Sequence, residues 1–473
     1  MQKKRFKNWN KEMVIIILSL AWPTMLEQLM QTVVQYIDTA MVGSLGTQAT
    51  AAVGATSTVN WLISSSISAL SVGFLSFIAR AYGANDHEKA KQVVSQAVLA
   101  VLVVGTFFTV LTLSLSNRIP VWMQVDPNIQ ELAAQYFFIL YMPMLPRTAS
   151  IIFGTVLRAA GDTKTPMKIG VLVNIINIIL NFLLIYPTRT ITLLSCSFMM
   201  PGAGLGVIGA AIASAVAFTV GGIQITIILW RHPLVSPRGQ SLRPNLQILR
   251  PCLKIAFPNM LQRFGTSLGY VAFASMINSI GEIATAAHTI ANTVESAFYI
   301  PGYGMQTAAA TLAGNAYGAG DRKKMKDLAA MFIPIEIALM FLSGTCLFVF
   351  APNLVQIFSS NEAVISLGVT VLRMVAVSEP FYGFSIIVEG MMQGVGKTKE
   401  PFLYNIIGMW GIRIFGTFLC TQLWGMGLVS AWACMILHNM FLFMLFLICF
   451  LRGKWNPFAE DANLLRKNPI GFK

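Results

Sequence analysis

Charged side chains are scarce in this sequence. Lys, Arg, Asp and Glu make up only 11% of its 473 residues, whereas hydrophobic residues make up 55% and the mean hydropathy is +0.67. A soluble domain needs about a quarter of its residues charged to stay solvated. The scarcity of charge therefore excludes an ordinary soluble protein and predicts that lipid surrounds most of the surface.

Two kinds of chemical motif are also missing. The sequence has no GxxxxGK[ST] loop for nucleotide phosphates and no hydrophilic segment large enough to form an ATP-binding domain. Its six cysteines show no CxxC pair, which argues against a disulfide framework and a metal site. We therefore expect neither an enzyme nor a bound cofactor, and an energy source other than ATP.

Long apolar runs are abundant. A helix that crosses a bilayer needs about 20 mostly apolar residues, and twelve runs meet this requirement. They predict an all-α polytopic membrane protein with 12 transmembrane helices. The predicted spans are 14–42, 49–79, 93–116, 132–157, 169–186, 205–230, 255–280, 283–316, 328–350, 364–392, 402–423 and 428–451.

The net charge of +14 is distributed unevenly over the predicted loops. If the loops alternate between the two sides of the membrane, only Arg118 and Arg189 fall on one side. The other basic residues outside the spans share a side with both termini. Since cytoplasmic loops carry an excess of Lys and Arg, we expect a plasma-membrane protein with both termini in the cytoplasm. The basicity reflects topology rather than a nucleic-acid partner.

The sequence repeats itself at an offset of 235 residues. LAWPTML at 20–26 matches IAFPNML at 255–261, AYGA at 81–84 recurs at 316–319, and GDTKTP at 161–166 matches GKTKEP at 396–401. Each repeat holds six spans, so both enter the membrane in the same orientation, as in transporters whose substrate path runs between parallel repeats. We predict an N-lobe (1–230), a cytoplasmic linker (231–254), a C-lobe (255–452) and a cytoplasmic tail (453–473).

Several motifs in register with this repeat resemble those of the multidrug and toxic compound extrusion (MATE) family. They are YIDTAMVGSLG at 36–46, AYGA at 81–84, RAAGDTKTP at 158–166, PGYGM at 301–305 and GVGKTK at 394–399. The resemblance spans essentially the whole chain. It implies a V-shaped pair of six-helix lobes that exports amphipathic, often cationic compounds in exchange for Na⁺ or H⁺.

Ionisable residues inside the spans are the candidates for coupling. Each costs about 2.5–3.5 kcal/mol at mid-span on insertion scales and so requires an explanation. The basic residues inside spans are Arg147, Arg263, Arg373 and Arg413, and the acidic ones are Glu27, Asp38, Glu295, Glu336, Glu379 and Glu389.

Asp38 lies in the outer part of span one, where the resemblance implies the coupling carboxylate of the N-lobe. Burial favours the neutral acid, so Asp38 could take up a proton outside and release it inside. Asn174, Asn177 and Asn181 fall on one stripe of span five. They could stabilise charged Asp38 or complete an oxygen shell for Na⁺, although plain inter-helix hydrogen bonds are an equal alternative. One carboxylate supplies few oxygens for Na⁺, which favours H⁺.

Glu27 precedes Asp38 by about three helical turns. It would be either a lower rung of a proton relay or, as we favour, a structural partner for span two. Glu336 and Glu389 lie nearer the cytoplasmic ends of their spans, and we interpret both as structural.

In the second repeat, Glu295, Glu379 and Arg413 fall at similar depth. Charges at one depth usually pair; a pair between Arg413 and Glu379 would leave Glu295 free to meet a cation. Either glutamate could equally be structural. His288 could titrate near neutral pH, although a core histidine is the preferred interpretation.

Two other functions remain open. A flippase for lipid-linked precursors has the same broad fold, but it would need extra spans or a cationic cavity, whereas acids outnumber bases inside the spans. A non-transporting scaffold would need soluble domains or a long tail. We expect small amphipathic molecules and the bilayer as partners, and a monomer.

Overall fold

The computed structural model describes residues 11–123, 125–193 and 196–459. Part of the predicted basic tails therefore lies outside the described residues. The basic residues concerned are Lys3, Lys4, Arg5, Lys7, Arg466, Lys467 and Lys473.

Helices form most of the described chain. They are α1 (Lys11–Gly43), α2 (Thr47–Gly83), α3 (His87–Leu115), α4 (Ile119–Trp122), α5 (Gln130–Tyr141), α6 (Met144–Ala159), α7 (Lys164–Leu184), α8 (Gly206–Arg231), α9 (Leu246–Asn278), α10 (Glu282–Gly318), α11 (Arg322–Gln356), α12 (Glu362–Ala376), α13 (Glu379–Gly394), α14 (Lys399–Ile406), α15 (Phe415–Phe418) and α16 (Leu428–Leu451). A 3₁₀ turn (Pro127–Ile129) precedes α5, and π-helical segments (Ile407–Ile414 and Leu419–Leu423) flank α15.

The predicted spans all correspond to helical segments. Within the described residues, eight helices are long and apolar enough to cross a membrane, or ten if each of two bent pairs is one span. The two other predicted spans form α9 and α10, which have 33 and 37 residues. Both helices are long enough, and their polar residues, among them Asn259, Gln262 and Glu295, reduce their hydropathy.

Predicted spans four and ten are each broken at the corresponding place in the repeat. The segment ending in α5 meets α6 at 50°, and α12 meets α13 at 52°. Met144 begins α6 and Glu379 begins α13, and these positions are 235 residues apart. Pro380 follows Glu379 in the first turn, where a missing N–H is tolerated. The break therefore places the Glu379 carboxyl at a helix N-terminus, which favours negative charge.

A β-hairpin lies between α7 and α8. β1 (Pro187–Leu193) and β2 (Cys196–Ala203) pair antiparallel, with Thr190 opposite Met199. At its base, the Tyr186 hydroxyl lies 2.8 Å from Ser44 Oγ and donates to the Met41 carbonyl at 3.2 Å. The hairpin base thus caps the C-terminal end of α1, one turn beyond Asp38.

The described residues form two compact units. One unit comprises 11–25, 75–86 and 251–459, and the other comprises 26–74 and 87–250. In the first unit, Thr24 Oγ1 donates to the Gly304 carbonyl at 3.1 Å and Arg80 Nη2 donates to the Val395 carbonyl at 2.6 Å. This unit therefore gathers the beginning of α1 and the end of α2 with the second repeat. The lobe, linker and tail boundaries expected from the sequence stay predictions.

Candidate functional site

Asp38 lies in the C-terminal part of α1 against α7. Asn181 Nδ2 donates to Asp38 Oδ1 at 2.6 Å, and Asn181 is 1% exposed. A hydrogen bond to a charged oxygen is about twice as strong as one between neutral groups. The asparagine at this position thus holds the carboxyl group of Asp38 within the helix pair.

Asn177 provides a second contact. With its amide nitrogen facing Asp38, Asn177 donates to Oδ1 at 2.9 Å and to Oδ2 at 3.2 Å, and its oxygen accepts from Ser214 Oγ at 3.0 Å. Ser214 lies in α8 and was not singled out from the sequence. The sequence nevertheless distinguishes Ser214, because it is the one polar side chain in the run 205–217.

Asn174 does not join this site. Its Nδ2 has no hydrogen-bond partner among the described residues. Asn174 precedes Asn177 by three residues, a displacement of about 4.5 Å along the helix axis. The stripe predicted from the sequence is therefore real, but only two of its three carboxamides bond to Asp38.

A fixed positive charge lies in the same unit. Arg147 of α6 is 8% exposed, and its Nη2 donates to Asn60 Oδ1 at 2.7 Å and to Ser64 Oγ at 2.8 Å. Its guanidinium carbon is also 4.7 Å from the centre of the Phe218 ring. None of these partners carries an opposite charge, so these contacts do not neutralise the guanidinium of Arg147.

Glu27 forms an ion pair that the sequence analysis missed. Arg158 Nη1 donates to Glu27 Oε2 at 2.9 Å, and the two side chains are 16% and 12% exposed. Glu27 thus pairs with α6 rather than with span two, because the arginine that opens the RAAGDTKTP motif lies at the end of span four. This contact supports the structural interpretation of Glu27.

In the second repeat, Arg413 is held by aromatic rings. Its guanidinium carbon lies 4.1 Å from the Phe273 ring centre and 4.9 Å from that of Tyr270. Among the described residues Arg413 forms no ion pair, so the anticipated pair with Glu379 is absent.

Three tyrosines lie beside the two glutamates. Glu295, Tyr299 and Tyr303 follow one face of α10 at four-residue spacing, and Tyr382 lies one turn after Glu379 on α13. The hydroxyl groups of Tyr303 and Tyr382 are 3.1 Å apart, and the Tyr299 ring is edge-on to both. Aromatic faces with nearby carboxyl groups suit organic cations.

His288 packs between two aromatic rings. Its ring centre is 5.6 Å from that of Phe273 and 5.9 Å from that of Trp432, each in an edge-on arrangement. Its buried Nδ1 has no hydrogen-bond partner among the described residues. These contacts favour the interpretation of His288 as a core residue.

The sequence profile of the MatE family matches residues 23–183 and 258–419, one stretch in each repeat. These two stretches together cover more than half of the chain. The chain belongs to the MatE family. MatE proteins are transporters that need no enzymatic cofactor, which confirms that this chain is not an enzyme. It is a multi-pass membrane protein whose partners include small molecules.

Relatives within this family align over nearly the full length. The protein is similar to the probable multidrug resistance protein NorM of Thermotoga maritima, with 27% identity over 94% of this chain and 93% of that protein. It is 24% identical to the probable multidrug resistance protein YoeA of Bacillus subtilis, over 87% of each chain.

Solved MATE structures share the fold. A crystal structure of MATE in complex with MaL6 superposes with a TM-score of 0.85 and 25% identity, covering 96% of this chain and 97% of that one. A transporter of the MOP superfamily from Pyrococcus furiosus superposes with a TM-score of 0.83 and 24% identity, over 92% and 95% of the two chains. The predicted all-α MATE fold is therefore confirmed.

Proposed function

We propose that this protein is an ion-coupled antiporter that exports amphipathic, cationic drugs or toxic compounds by alternating access. Two relatives that align over most of the chain are named as probable multidrug resistance proteins. Parallel six-span repeats suit a rocking exchange about a central site. We place the protein in the cell membrane as a monomer with both termini in the cytoplasm.

The observation that carries the coupling proposal is the contact of Asp38 with two carboxamides. In the charged state, Asp38 accepts N–H groups from Asn181 and Asn177. In the protonated state its hydroxyl can donate to the Asn177 oxygen once the amide turns over. The Ser214 hydroxyl, 3.0 Å from Asn177, satisfies either orientation because a hydroxyl both donates and accepts.

This arrangement favours H⁺ over Na⁺ as the coupling ion. A Na⁺ shell is built from oxygen ligands, whereas the groups that face charged Asp38 present N–H donors. Proton exchange needs only one carboxyl group whose surroundings accommodate both of its states. Na⁺ coupling is the alternative that the experiment below separates.

The substrate assignment follows from the second repeat. Glu295, Glu379 and the edge-on tyrosines provide negative charge and aromatic faces, and Arg413 is already engaged by Tyr270 and Phe273. This chemistry attracts lipophilic cations and disfavours the pyrophosphate of a lipid-linked precursor.

The test is efflux of a fluorescent lipophilic cation from cells that express wild type, Asp38→Asn or Asn174→Ala. Each is run under an imposed pH gradient and then under an imposed Na⁺ gradient. We expect export by wild type and by Asn174→Ala, no export by Asp38→Asn at equal expression, and a response to the pH gradient. Export by Asp38→Asn at the wild-type rate would show that other residues carry the coupling. Export driven only by the Na⁺ gradient would show that Na⁺, and not H⁺, is the coupling ion.

A further inference from the structure

Glu336 is the most deeply buried acidic side chain among the described residues, and the exchange at Asp38 does not use it. It lies in α11 and is 0% exposed. Neither Oε1 nor Oε2 has a hydrogen-bond partner within the described chain. Buried carboxyl groups are nearly always hydrogen-bonded or paired, so an exception requires a physical reason.

The carboxyl group of Glu336 packs against α10 at Gly302, next to a proline inside the helix. A Cβ atom on Gly302 would lie 2.7 Å from Oε1, so the carboxyl group rests on bare glycine backbone. The preceding residue, Pro301, has no N–H and interrupts the hydrogen bonding of the helix. On the other side, a Cβ on Gly383 would lie 3.2 Å from Glu336 Cγ. Any side chain at either glycine would crowd Glu336.

Two further buried acidic residues lie on the helices that pack against α11. Glu379 lies one turn before Gly383 on the same face of α13 and is 2% exposed. It packs against α11, where a Cβ on Gly344 would lie 3.4 Å from the Cβ of Glu379. Glu295 on α10 is 7% exposed. These three buried carboxyl groups thus lie on α11, α13 and α10, three helices that pack against one another inside one compact unit.

No basic side chain pairs with Glu336 among the residues that the structure describes. Among the described residues, neither Glu336 nor Glu379 forms an ion pair, and the guanidinium of Arg413 packs on the rings of Tyr270 and Phe273. On α12, the third helix packed against α11, Arg373 donates to the Phe348 carbonyl at 3.4 Å. A carboxyl group with neither donor nor counter-charge is stable in such a site only as the neutral acid.

We propose that Glu336 is a second proton-binding site of the transporter and passes its proton to Glu379. If Glu336 served packing alone, an apolar side chain would fill the same space without burying unpaired oxygens. In the transfer, the O–H bond of Glu336 breaks, an O–H bond forms on Glu379, and the negative charge moves from Glu379 to Glu336. The interruption of α10 at Pro301 and Gly302 provides the place where the helix can move to admit water.

This proton binding does not depend on Asp38, and only its link to export rests on the proposed function. Infrared spectroscopy of the purified, reconstituted protein tests it directly. Wild type should show a C=O band of a protonated carboxylic acid without hydrogen bonds, and this band should disappear as the pH is raised. Glu336→Gln should lack the band, whereas Asp38→Asn and Glu362→Gln, an exposed glutamate at the start of α12, should keep it.

Transport in the same liposomes supplies the second measurement. Glutamine has the shape and neutrality of the protonated acid, so Glu336→Gln should melt like wild type and transport at least about 10-fold more slowly under a pH gradient. Gly302→Ala keeps the acid but crowds Oε1, and it should shift the pH at which the band disappears.

A spectrum of Glu336→Gln identical to that of wild type overturns the proposal. So does a band that persists at every pH together with wild-type transport by Glu336→Gln. Loss of export in Asp38→Asn with the Glu336 band intact leaves both proposals standing. Normal export by Asp38→Asn would contradict only the proposed coupling role of Asp38. The proposal for Glu336 would still be tested by the infrared measurement.

Discussion

At the scale of single residues, a carboxamide contributes to a site only if its helix brings it within hydrogen-bond distance. Asn174, Asn177 and Asn181 are chemically equivalent and share one stripe of α7, yet only the last two bond to Asp38. This difference provides a matched pair of variants within one helix.

Replacing Asn181 by Ala removes the 2.6 Å hydrogen bond to Asp38. A hydrogen bond to a charged group contributes about 1.5–3 kcal/mol. We therefore expect the apparent affinity for the coupling ion to change by roughly 10- to 100-fold, measured from the rate of gradient-driven efflux against ion concentration. Asn174→Ala is the control and should behave like wild type. Equal effects of the two variants would contradict the assigned geometry.

The ion pair between Glu27 and Arg158 should matter for stability. The pair is mostly shielded from solvent, so its loss should cost more than that of a surface pair, about 1–3 kcal/mol. We expect Glu27→Leu and Arg158→Leu each to lower the melting temperature of the purified protein. The double variant should lose less than the sum of the two single losses, because each single change leaves one charge unpaired. Strict additivity would show that the two residues do not interact.

At the scale of whole elements, helix ends determine where side chains point. The Tyr186 hydroxyl caps the end of α1, and the Arg189 guanidinium lies 3.8 Å from the Tyr186 ring centre. The base of the hairpin thus fixes the end of the helix that carries Asp38. In the second repeat, the break between α12 and α13 places Glu379 at the beginning of α13.

The segment that follows α8 should loosen in acid. His232 Nδ1 accepts the backbone N–H groups of Leu234 and Val235, each at 3.3 Å. Burial lowers the pKa of His232 from its ordinary value of 6.5, although the nearby Asp162 carboxylate opposes this. The folded segment therefore binds a proton less readily than the unfolded chain. Its stabilising contribution is present above about pH 6.5 and is lost as the pH falls below that value.

Hydrogen exchange measures this loss. Protection of the Leu234 and Val235 amides, corrected for intrinsic exchange, should decrease between about pH 7.5 and about pH 5. His232→Asn keeps a side-chain acceptor without a titrating group, so its protection should not depend on pH in this range. The same decrease in both proteins would assign the effect to another group.

At the scale of the whole molecule, the distribution of basic residues predicts which side each loop faces. A cysteine replacing Met199 in the hairpin should react with a membrane-impermeant maleimide added to intact cells. One replacing Arg238, in the segment between α8 and α9, should react only after the cells are opened. Both sites are exposed, and the background should lack the native cysteines. Labelling of the Arg238→Cys variant in intact cells would reverse the predicted orientation.

The sequence by itself determined the features that depend on neighbours along the chain. Long apolar runs required membrane helices, the offset of 235 residues revealed the duplication, and the spacing of the asparagines placed them on one helix face. These properties follow from helical geometry and from the cost of polar groups in lipid. Asp38, as an acid inside a span, and the asparagines on one helix face could be identified in this way.

Only the tertiary structure decided which residues meet. Glu27 and Arg158 are 131 residues apart, and Asp38 and Asn181 are 143 residues apart. The structure brought Ser214 into the site, left Asn174 out of it, and placed Arg413 on aromatic rings instead of on Glu379. It also showed that the carboxyl oxygens of Glu336, a residue interpreted from the sequence as structural, have no hydrogen-bond partner in the part of the chain that the structure describes. Such contacts depend on how distant helices pack, and the periodicity of a single helix carries no information about its neighbours.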